Sequence, residues 1–237
     1  MTFFRLDAGG TDLIHPAPNL AVARRRKDFY YYKAKREGYR SRAAYKLLQM
    51  QQRFKVIQPG DTVVDLGAAP GGWSQVAAEL SGGRILAVDL QTIAPISDVE
   101  TVRADITVPE TAASIMGRVG EVDVVLCDAA PNLSGSWPYD HARSVDQAES
   151  ALKDAEQLLV PGGNMVVKVF QGDIFPRFLA RVRERFHKVQ AHSPKASRSE
   201  SAETYVVALG YRPAGAGCDH AGSVQQVEGG KGGAGAA

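Results

Sequence analysis

The topology of this chain can be deduced from one stretch, Val63-Val64-Asp65-Leu66-Gly67-Ala68-Ala69-Pro70-Gly71-Gly72-Trp73. Its first part is an aliphatic and β-branched run typical of a strand that is buried on both faces. Gly67 ends this run, small residues follow, and residues 73–80 have helical spacing. A strand, a glycine turn and a helix form the first unit of a doubly wound α/β sheet, whose ligands lie beyond the carboxyl ends of the strands.

The glycine turn differs from the dinucleotide-binding fingerprint. It reads G-x-x-x-G-G with Pro70 inside, whereas the fingerprint reads G-x-G-x-x-G, so the turn is only weak support for a pyrophosphate ligand. Glycines without a Cβ allow the backbone to approach a ligand closely. Taken alone, the stretch is also compatible with an ordinary tight turn of any α/β protein.

Acidic residues stand at the ends of the next three predicted strands. Asp89 follows the glycines by about twenty residues, where an α/β nucleoside site places a carboxylate for the ribose hydroxyls. Asp105 and Asp128 end the two short strands that come next. A polar loop accounts for one such residue, whereas three at corresponding positions favour a site along one edge of the sheet.

The remaining pattern predicts further helices and strands. Ser41 is a predicted N-cap for a helix that runs to about Arg53. The other predicted elements are a helix that begins at 109 and ends between 117 and 120, a helix over 140–159, a turn at 161–163, a strand over 164–170, a helix over 175–186 and strands over 188–192 and 204–209. The last two strands are expected to form an antiparallel pair that completes a sheet of seven strands.

The composition sets the broad class of protein. With 237 residues, 44% of them hydrophobic, the chain can bury one core. No apolar run reaches the length of a membrane span, about eighteen residues or more, and the start of the chain lacks the order of a secretory signal. Cys127 and Cys218 are far apart and form no metal-type pair, which favours a reducing cytoplasm and gives no indication of a metal site.

Basic residues are concentrated near the N-terminus. Residues 24–55 contain twelve Lys or Arg and two acidic residues, although the whole chain has a net charge of only +2. Tyrosines and Phe29 are interleaved with these basic residues, a combination suited to hold phosphates and to stack bases. The asymmetry favours docking of a polyanion on one side of the molecule, and a solvated basic helix face is the alternative.

Lys168 interrupts the otherwise apolar strand predicted over residues 164–170. A lysine in a buried strand is unfavourable unless its amine is paired or used. The alternative is that its stem packs in the core while its charge reaches solvent. Lys168 is therefore a candidate site residue on its own pattern.

Five motifs, in order along the chain, resemble the FtsJ/RrmJ family. They are SRAAYKL at 41–47, GAAPGGWSQ at 67–75, DAAPNLSG at 128–135, VVKVFQG at 166–172 and SAETY at 201–205. The resemblance extends over residues 29–211. Ala129 is a difference, since many members carry methionine there, but a smaller side chain is not expected to alter the chemistry.

The resemblance implies a Rossmann-like class I methyltransferase domain over residues 29–212. This is an α/β fold with a seven-stranded, mostly parallel sheet and helices on both faces. An irregular basic arm over 1–28 is expected before the domain, and a Gly/Ala-rich disordered tail over 213–237 after it. Family members are S-adenosylmethionine-dependent RNA ribose 2′-O-methyltransferases, so the implied cofactor is S-adenosylmethionine and the implied acceptor is an RNA 2′-hydroxyl.

The resemblance also implies the residues of the site. The catalytic residues are Lys46, Asp128, Lys168 and Glu203, where Lys168 is either the proton acceptor or a group that orients the hydroxyl. The cofactor-binding residues are Gly67, Gly71, Gly72, Trp73, Asp89, Asp105 and Asp128. Among these, Asp89 suits the ribose hydroxyls, Asp105 suits the adenine amino group, and Asp128 suits the cationic, methyl-bearing end.

Three functions compete. The first is ribose methylation of RNA by a cytoplasmic monomer, with a uridine of large-subunit ribosomal RNA, within the large ribosomal subunit, as the expected target and transfer RNA as the alternative. The second, methylation of a small molecule on the same fold, requires neither the basic segment nor Lys168. The third is a non-catalytic RNA-binding protein of ribosome assembly, against which the complete catalytic and cofactor motifs speak.

Overall fold

A computed structural model describes residues 20–197 and 201–214, with side chains from Phe29 onward. The helices are α1 (Leu20–Glu37), α2 (Ala44–Phe54), α3 (Gly72–Ser81), α4 (Glu110–Val119), α5 (Trp137–Leu158) and α6 (Phe175–Arg185). The strands are β1 (Val63–Leu66), β2 (Ile85–Asp89), β3 (Val99–Arg103), β4 (Val122–Cys127), β5 (Leu159–Phe170), β6 (Phe186–His192) and β7 (Glu203–Tyr211).

The strands form one seven-stranded sheet in the order β3-β2-β1-β4-β5-β7-β6. The first five strands run parallel, and β7 lies antiparallel between β5 and β6. The predicted mostly parallel sheet with a final antiparallel pair is confirmed. β1 lies in the middle of the parallel part, and its four residues are all buried, as its continuous apolar run predicts.

Helices cover both faces of the sheet. The apolar sides of α4, α5 and α6 pack on one face, against alternate residues such as Val64 and Val125. The apolar sides of α2 and α3 pack on the other face, against the intervening residues such as Val63 and Val124. In the described part of the chain, no helix combines the length and the apolarity required to cross a bilayer.

Helix boundaries at the N-terminal side differ from the prediction. The expectation of an irregular arm over residues 1–28 is wrong for 20–28, because α1 begins at Leu20, where alanines and basic helix formers follow the last proline. The tail over 213–237 lies almost entirely outside the described residues. Ser41 is not the cap of α2, whose first residue is Ala44. Instead Ser41 packs where a Cβ on Gly72 would stand, between the turn and the glycine loop.

Two elements of the second half are longer than predicted. α5 begins at Trp137, because the extended Ser136 precedes it and Pro138 is compatible with its first turn. β5 begins at Leu159 and includes residues 161–163, which were predicted as a turn. A register shift against β4, between Val122 and Val124, accommodates this irregular start.

Candidate active site

The glycine loop turns sharply at the carboxyl end of β1. Gly67 has φ +70°, and a Cβ at this position would stand 2.6 Å from the Cβ of Ala129. Only glycine satisfies both the left-handed backbone and this close approach. Gly67 N donates to Val88 O at 2.8 Å, which holds the loop against the end of β2. The small side chain at 129, where many family members carry methionine, therefore packs directly on the loop.

A cavity of about 580 Å³ opens at the ends of β1, β2 and β4. Gly67 and three acids, Asp89, Asp105 and Asp128, line it, so the structure brings the predicted acids of three separate strands to one place. Trp73 lies elsewhere: its ring is buried and its Nε1 donates to Ala43 O at 2.9 Å, which ties α3 to α2.

Two other predicted cofactor residues, Gly71 and Gly72, lie where the glycine loop enters α3. Gly71 has φ +104° and faces Ile96 and Arg40, while Gly72 faces Ser41. These contacts show how Gly71, Gly72 and Trp73 support the loop. Their direct contact with a cofactor remains a prediction.

Hydrogen bonds hold two of the acids in the cavity wall. Asp89 accepts from Ala69 N at 2.9 Å through Oδ2 and from Gln91 N at 2.7 Å through Oδ1. Asp105 accepts from the hydroxyl and the backbone N of Thr107 at 2.7 and 2.9 Å, both through Oδ1. These bonds, first that of the hydroxyl, lower the pKa of Asp105. The carboxylate is therefore kept charged and oriented.

The four predicted catalytic residues lie together on four elements, namely α2, the end of β4, β5 and β7. In the antiparallel pair of β5 and β7, Lys168 is opposite Tyr205 and Phe170 is opposite Glu203. Lys168 Nζ lies 3.0 Å from Asp128 Oδ1, and Lys46 Nζ lies 3.2 Å from Glu203 Oε2. Lys168 is only 7% exposed, so its ion pair forms largely away from water. The structure thus brings the four residues together as two acid–lysine pairs, and this pairing was not part of the prediction.

Tyr205 connects these two pairs, a role that was not predicted. Lys46 Nζ donates to the Tyr205 hydroxyl at 2.7 Å, and this hydroxyl donates to Asp128 Oδ1 at 2.7 Å. Burial and then the charge of Asp128 raise the pKa of Tyr205 well above its ordinary value, so the hydroxyl keeps its proton. The sequence offered one sign of this role: Tyr205 lies in a predicted strand, and the hydroxyl of a buried tyrosine requires a hydrogen-bond partner.

Asp65 is a second residue to which the sequence reading assigned no role. It is fully buried on β1, accepts from Ser74 Oγ at 2.6 Å, and its Oδ1 has no hydrogen-bond partner. Burial raises the pKa of Asp65 to about 7, against the effect of the Ser74 hydrogen bond, and the charges of Asp128 and Asp89 add to the rise. Asp65 therefore ties α3 to β1 beneath the site and titrates near neutrality.

A second cavity, of about 620 Å³, opens beside two of the predicted catalytic residues. Lys46 and Glu203 line it, together with the aromatic side chains of Trp137 and Phe170. Asp128 lines the first cavity, and its hydrogen-bonded connection through Tyr205 to Lys46 reaches the second one. The hydrogen-bonded connection from Lys46 through Tyr205 to Asp128 therefore reaches both cavities, each of which is large enough for a small ligand.

The basic N-terminal segment combines exposed and structural residues. Phe29, Tyr31 and Tyr32 are exposed on α1, whereas Tyr45 is buried on α2. Arg40 Nη1 donates to Pro70 O at 3.2 Å and to Ala94 O at 2.6 Å, so this arginine fastens the glycine loop. Part of the basic charge thus has a structural use, whereas the three aromatic rings on α1 are exposed.

Comparisons with known proteins agree with this geometry. The family model of FtsJ-like methyltransferases matches residues 39–211. "Ribosomal RNA large subunit methyltransferase E" of Methanosarcina acetivorans is 60% identical over 188 residues, 78% of this chain and 69% of that protein. The protein of the same name from Archaeoglobus fulgidus is 52% identical over 187 residues, 79% of this chain and 97% of that protein.

A solved structure shows the same fold. The crystal structure of a Plasmodium falciparum protein assigned as a ribosomal RNA methyltransferase superposes with a TM-score of 0.67 and 26% identity, covering 73% of this chain and 98% of that one. Together with the family model, which spans most of the domain, these matches confirm the predicted family and fold. The chain belongs to the FtsJ-like methyltransferase family.

Proposed function

We propose that this protein transfers the methyl group of S-adenosylmethionine to a ribose 2′-hydroxyl of large-subunit ribosomal RNA, with a uridine as the acceptor nucleotide. One observation carries the proposal: the hydrogen-bonded series Lys46, Tyr205, Asp128 and Lys168 connects a residue that lines one cavity with a residue that lines the other. A direct methyl transfer requires the acceptor oxygen to lie in line with the methyl carbon and the sulfur, beside the group that manages the proton, so donor and acceptor must meet next to these residues. The names of the archaeal relatives support the choice of RNA.

The cavity with three acids suits the donor. When bound, S-adenosylmethionine supplies a methyl group activated by a sulfonium charge. Each oxygen of Asp89 accepts one backbone hydrogen bond and has a second lone pair for a ribose hydroxyl. Both bonds of Thr107 go to Oδ1 of Asp105, so Oδ2 is the oxygen that we assign to the adenine amino group. The carboxylate of Asp128 favours a cation at the end of the cavity nearest Lys168.

Lys168 is the group that we assign to the acceptor hydroxyl. As a free amine, Lys168 takes the hydroxyl proton at Nζ, in the manner of a general base. As an ammonium, it donates to the hydroxyl oxygen and stabilises the negative charge that develops there. In either case Asp128, 3.0 Å away, fixes the position of Nζ. Lys46, held by Glu203 and Tyr205, supplies a second positive charge on the acceptor side.

The exposed side of α1 is the surface that we assign to RNA. Three exposed aromatic rings, Phe29, Tyr31 and Tyr32, are interleaved with basic residues on this helix. Basic side chains hold phosphates, and aromatic rings stack on bases regardless of sequence. This surface is therefore suited to hold the flanking RNA while the acceptor nucleotide reaches Lys168.

Transfer of labelled methyl to RNA tests the proposal. We expect transfer to large-subunit RNA, with transfer RNA and purified small metabolites as the competing acceptors. Lys168→Ala is expected to reduce turnover at least about a hundredfold, the usual loss of general acid–base help. Lys168→Arg cannot become neutral, so it is equally inactive if Lys168 is a base and much more active if Lys168 orients the hydroxyl. Lys188→Ala, an exposed lysine on β6, is the matched control.

The other acceptors separate the competing functions. Transfer to metabolites alone would establish a small-molecule methyltransferase. Transfer to transfer RNA alone would show that the protein is a ribose methyltransferase whose substrate is transfer RNA. RNA binding without any methyl transfer would support the third function, a non-catalytic RNA-binding protein. Normal turnover of Lys168→Ala would refute the role of Lys168.

A further inference from the structure

Trp137 is an exposed aromatic ring built into the wall of the second cavity. It is the first residue of α5 and is 48% exposed, although tryptophan is among the most apolar side chains. Its ring stacks on His141, with centroids 5.7 Å apart and an interplanar angle of 5°. It also stacks on Phe170, at 6.0 Å and 17°. Both of these partners are buried, so the two contacts hold the Trp137 ring in position while about half of its surface faces solvent.

The stack has a fixed relation to the catalytic residues. Phe170 follows Lys168 by two positions on β5, so both side chains point to the same face of the sheet. Their separation along the strand is about 6.6 Å, a distance that the base and the 2′-hydroxyl of one nucleotide can span. In the register with β7, Lys168 is opposite Tyr205 and Phe170 is opposite Glu203. The aromatic wall therefore stands beside the place assigned to the acceptor ribose.

The rim next to Trp137 is rigidly held. The carboxylate of Asp140 accepts from the backbone N and the hydroxyl of Ser134, both at 2.8 Å, and from Gly135 N at 3.1 Å. These bonds, first that of the Ser134 backbone, lower the pKa of Asp140, so its charge persists over the working range. Asp140 lies on the same helix as Trp137, and the two residues line the same cavity. The cavity wall is thus formed before any ligand arrives.

We infer that Trp137 is the stacking platform for the base of the acceptor nucleotide. The inference rests on the proposed function, since it places an RNA nucleotide in the second cavity. A base can lie face to face with Trp137 only if it is unpaired, so the acceptor nucleotide must be single-stranded or turned out of its helix. Stacking depends on the flat face that every base has, so this contact selects for the presence of a base and not for its identity.

The test compares two RNAs that differ only at the acceptor nucleotide. The full-length chain is given a synthetic RNA that spans the mapped methylation site, and the same RNA with an abasic ribose at that position. Trp137→Ala is expected to lower kcat/KM on the intact RNA by about 5- to 150-fold, the factor that corresponds to one stacked base. On the abasic RNA the same variant should differ from wild type by less than about twofold, because the stacking partner is missing. Trp137→Phe should restore most of the activity.

Two controls separate stacking from folding. Tyr139→Ala removes another exposed ring, 55% exposed and two residues further along α5, and should leave kcat/KM on both RNAs unchanged. Cofactor affinity of Trp137→Ala should match that of wild type, and because the variant loses its contacts with His141 and Phe170, all variants are assayed well below its own unfolding temperature. An equal loss on intact and abasic RNA, or no loss on either, would overturn the inference.

A binding measurement keeps the inference separate from the proposed function. The chain has two tryptophans, and Trp73 is buried, so a bound base can reach only Trp137. A base stacked on the exposed ring of Trp137 should therefore quench the fluorescence emission of this residue. Quenching by a single-stranded oligonucleotide, absent in Trp137→Phe and weaker with a duplex of the same sequence, would support the platform even if no methyl transfer to ribosomal RNA were found. Emission of wild type that does not change on saturation with single-stranded RNA would refute it.

Discussion

Removal of a single oxygen, in Tyr205→Phe, tests whether the two acid–lysine pairs operate as one unit. The ring remains and keeps its contact with Trp73, at a centroid distance of 5.7 Å, but the hydroxyl loses its bonds to Lys46 and Asp128, each 2.7 Å long. Hydrogen bonds to charged groups contribute about 1.5–3 kcal/mol each. Lys46 retains Glu203, and Asp128 retains Lys168, so neither charge is left unpaired. We therefore expect a loss at the low end of the sum, about 3 kcal/mol of unfolding free energy.

For a domain of this size, a loss of about 3 kcal/mol lowers the melting temperature by about 6–12 °C. Thermal unfolding without cofactor measures this shift, and single-turnover methyl transfer below the transition measures the effect on the site. Tyr211→Phe is the matched control, because this buried tyrosine on the same strand donates only to the backbone oxygen of Glu156, at 2.9 Å. It should lose about 1 kcal/mol and no activity. Equal shifts in the two variants, with turnover of Tyr205→Phe unchanged, would refute the idea of one connected unit.

Two further variants test the acids beneath and beside the cofactor cavity. Asp89→Ala removes the acceptors assigned to the ribose hydroxyls, so calorimetry should show cofactor affinity lower by about 10- to 100-fold with RNA affinity unchanged, and an unaltered cofactor affinity would exclude Asp89 from the site. The pKa of Asp65 is about 7 in the folded state and 3.8 ordinarily, so between pH 3.8 and pH 7 the folded state binds one more proton than the unfolded state. The contribution of this proton to the unfolding free energy is therefore lost as the pH rises through that range. Asparagine does not titrate, so the melting temperature of Asp65→Asn minus that of wild type should increase between pH 5 and pH 8. A difference that stays constant would show that Asp65 does not titrate in this range.

The sequence was sufficient for the parts of the site that depend on the order of elements. Asp89, Asp105 and Asp128 follow strands that run parallel, and parallel strands present their ends at one edge, so their meeting could be predicted. Lys168 was conspicuous because an isolated charge in a buried strand requires a partner. Lys46 and Glu203, by contrast, were assigned only through the family motifs, and their 3.2 Å contact depends on how α2 packs against the end of β7.

Features that depend on register could not be predicted. The role of Tyr205 requires that it stand opposite Lys168, which follows from the pairing of β5 with β7 and not from any local pattern. Asp65 was predicted within the buried strand before Gly67 and was given no role, whereas its importance comes from complete burial of its carboxylate. Trp137 was expected in the loop before α5, because the pattern of buried residues that marks the helix becomes regular only from Asp140 onward.

The position of β7 has a consequence for how the enzyme comes into existence during protein synthesis. Glu203 and Tyr205 lie on β7, the last of the described strands in chain order, yet this strand inserts between β5 and β6, inside the sheet. A nascent chain that has passed Phe170 already holds the glycine loop and the three strand-end acids, but Lys46 and Asp128 have no connection until β7 enters. The residues assigned to the donor are therefore all synthesised before the strand that completes the set assigned to catalysis.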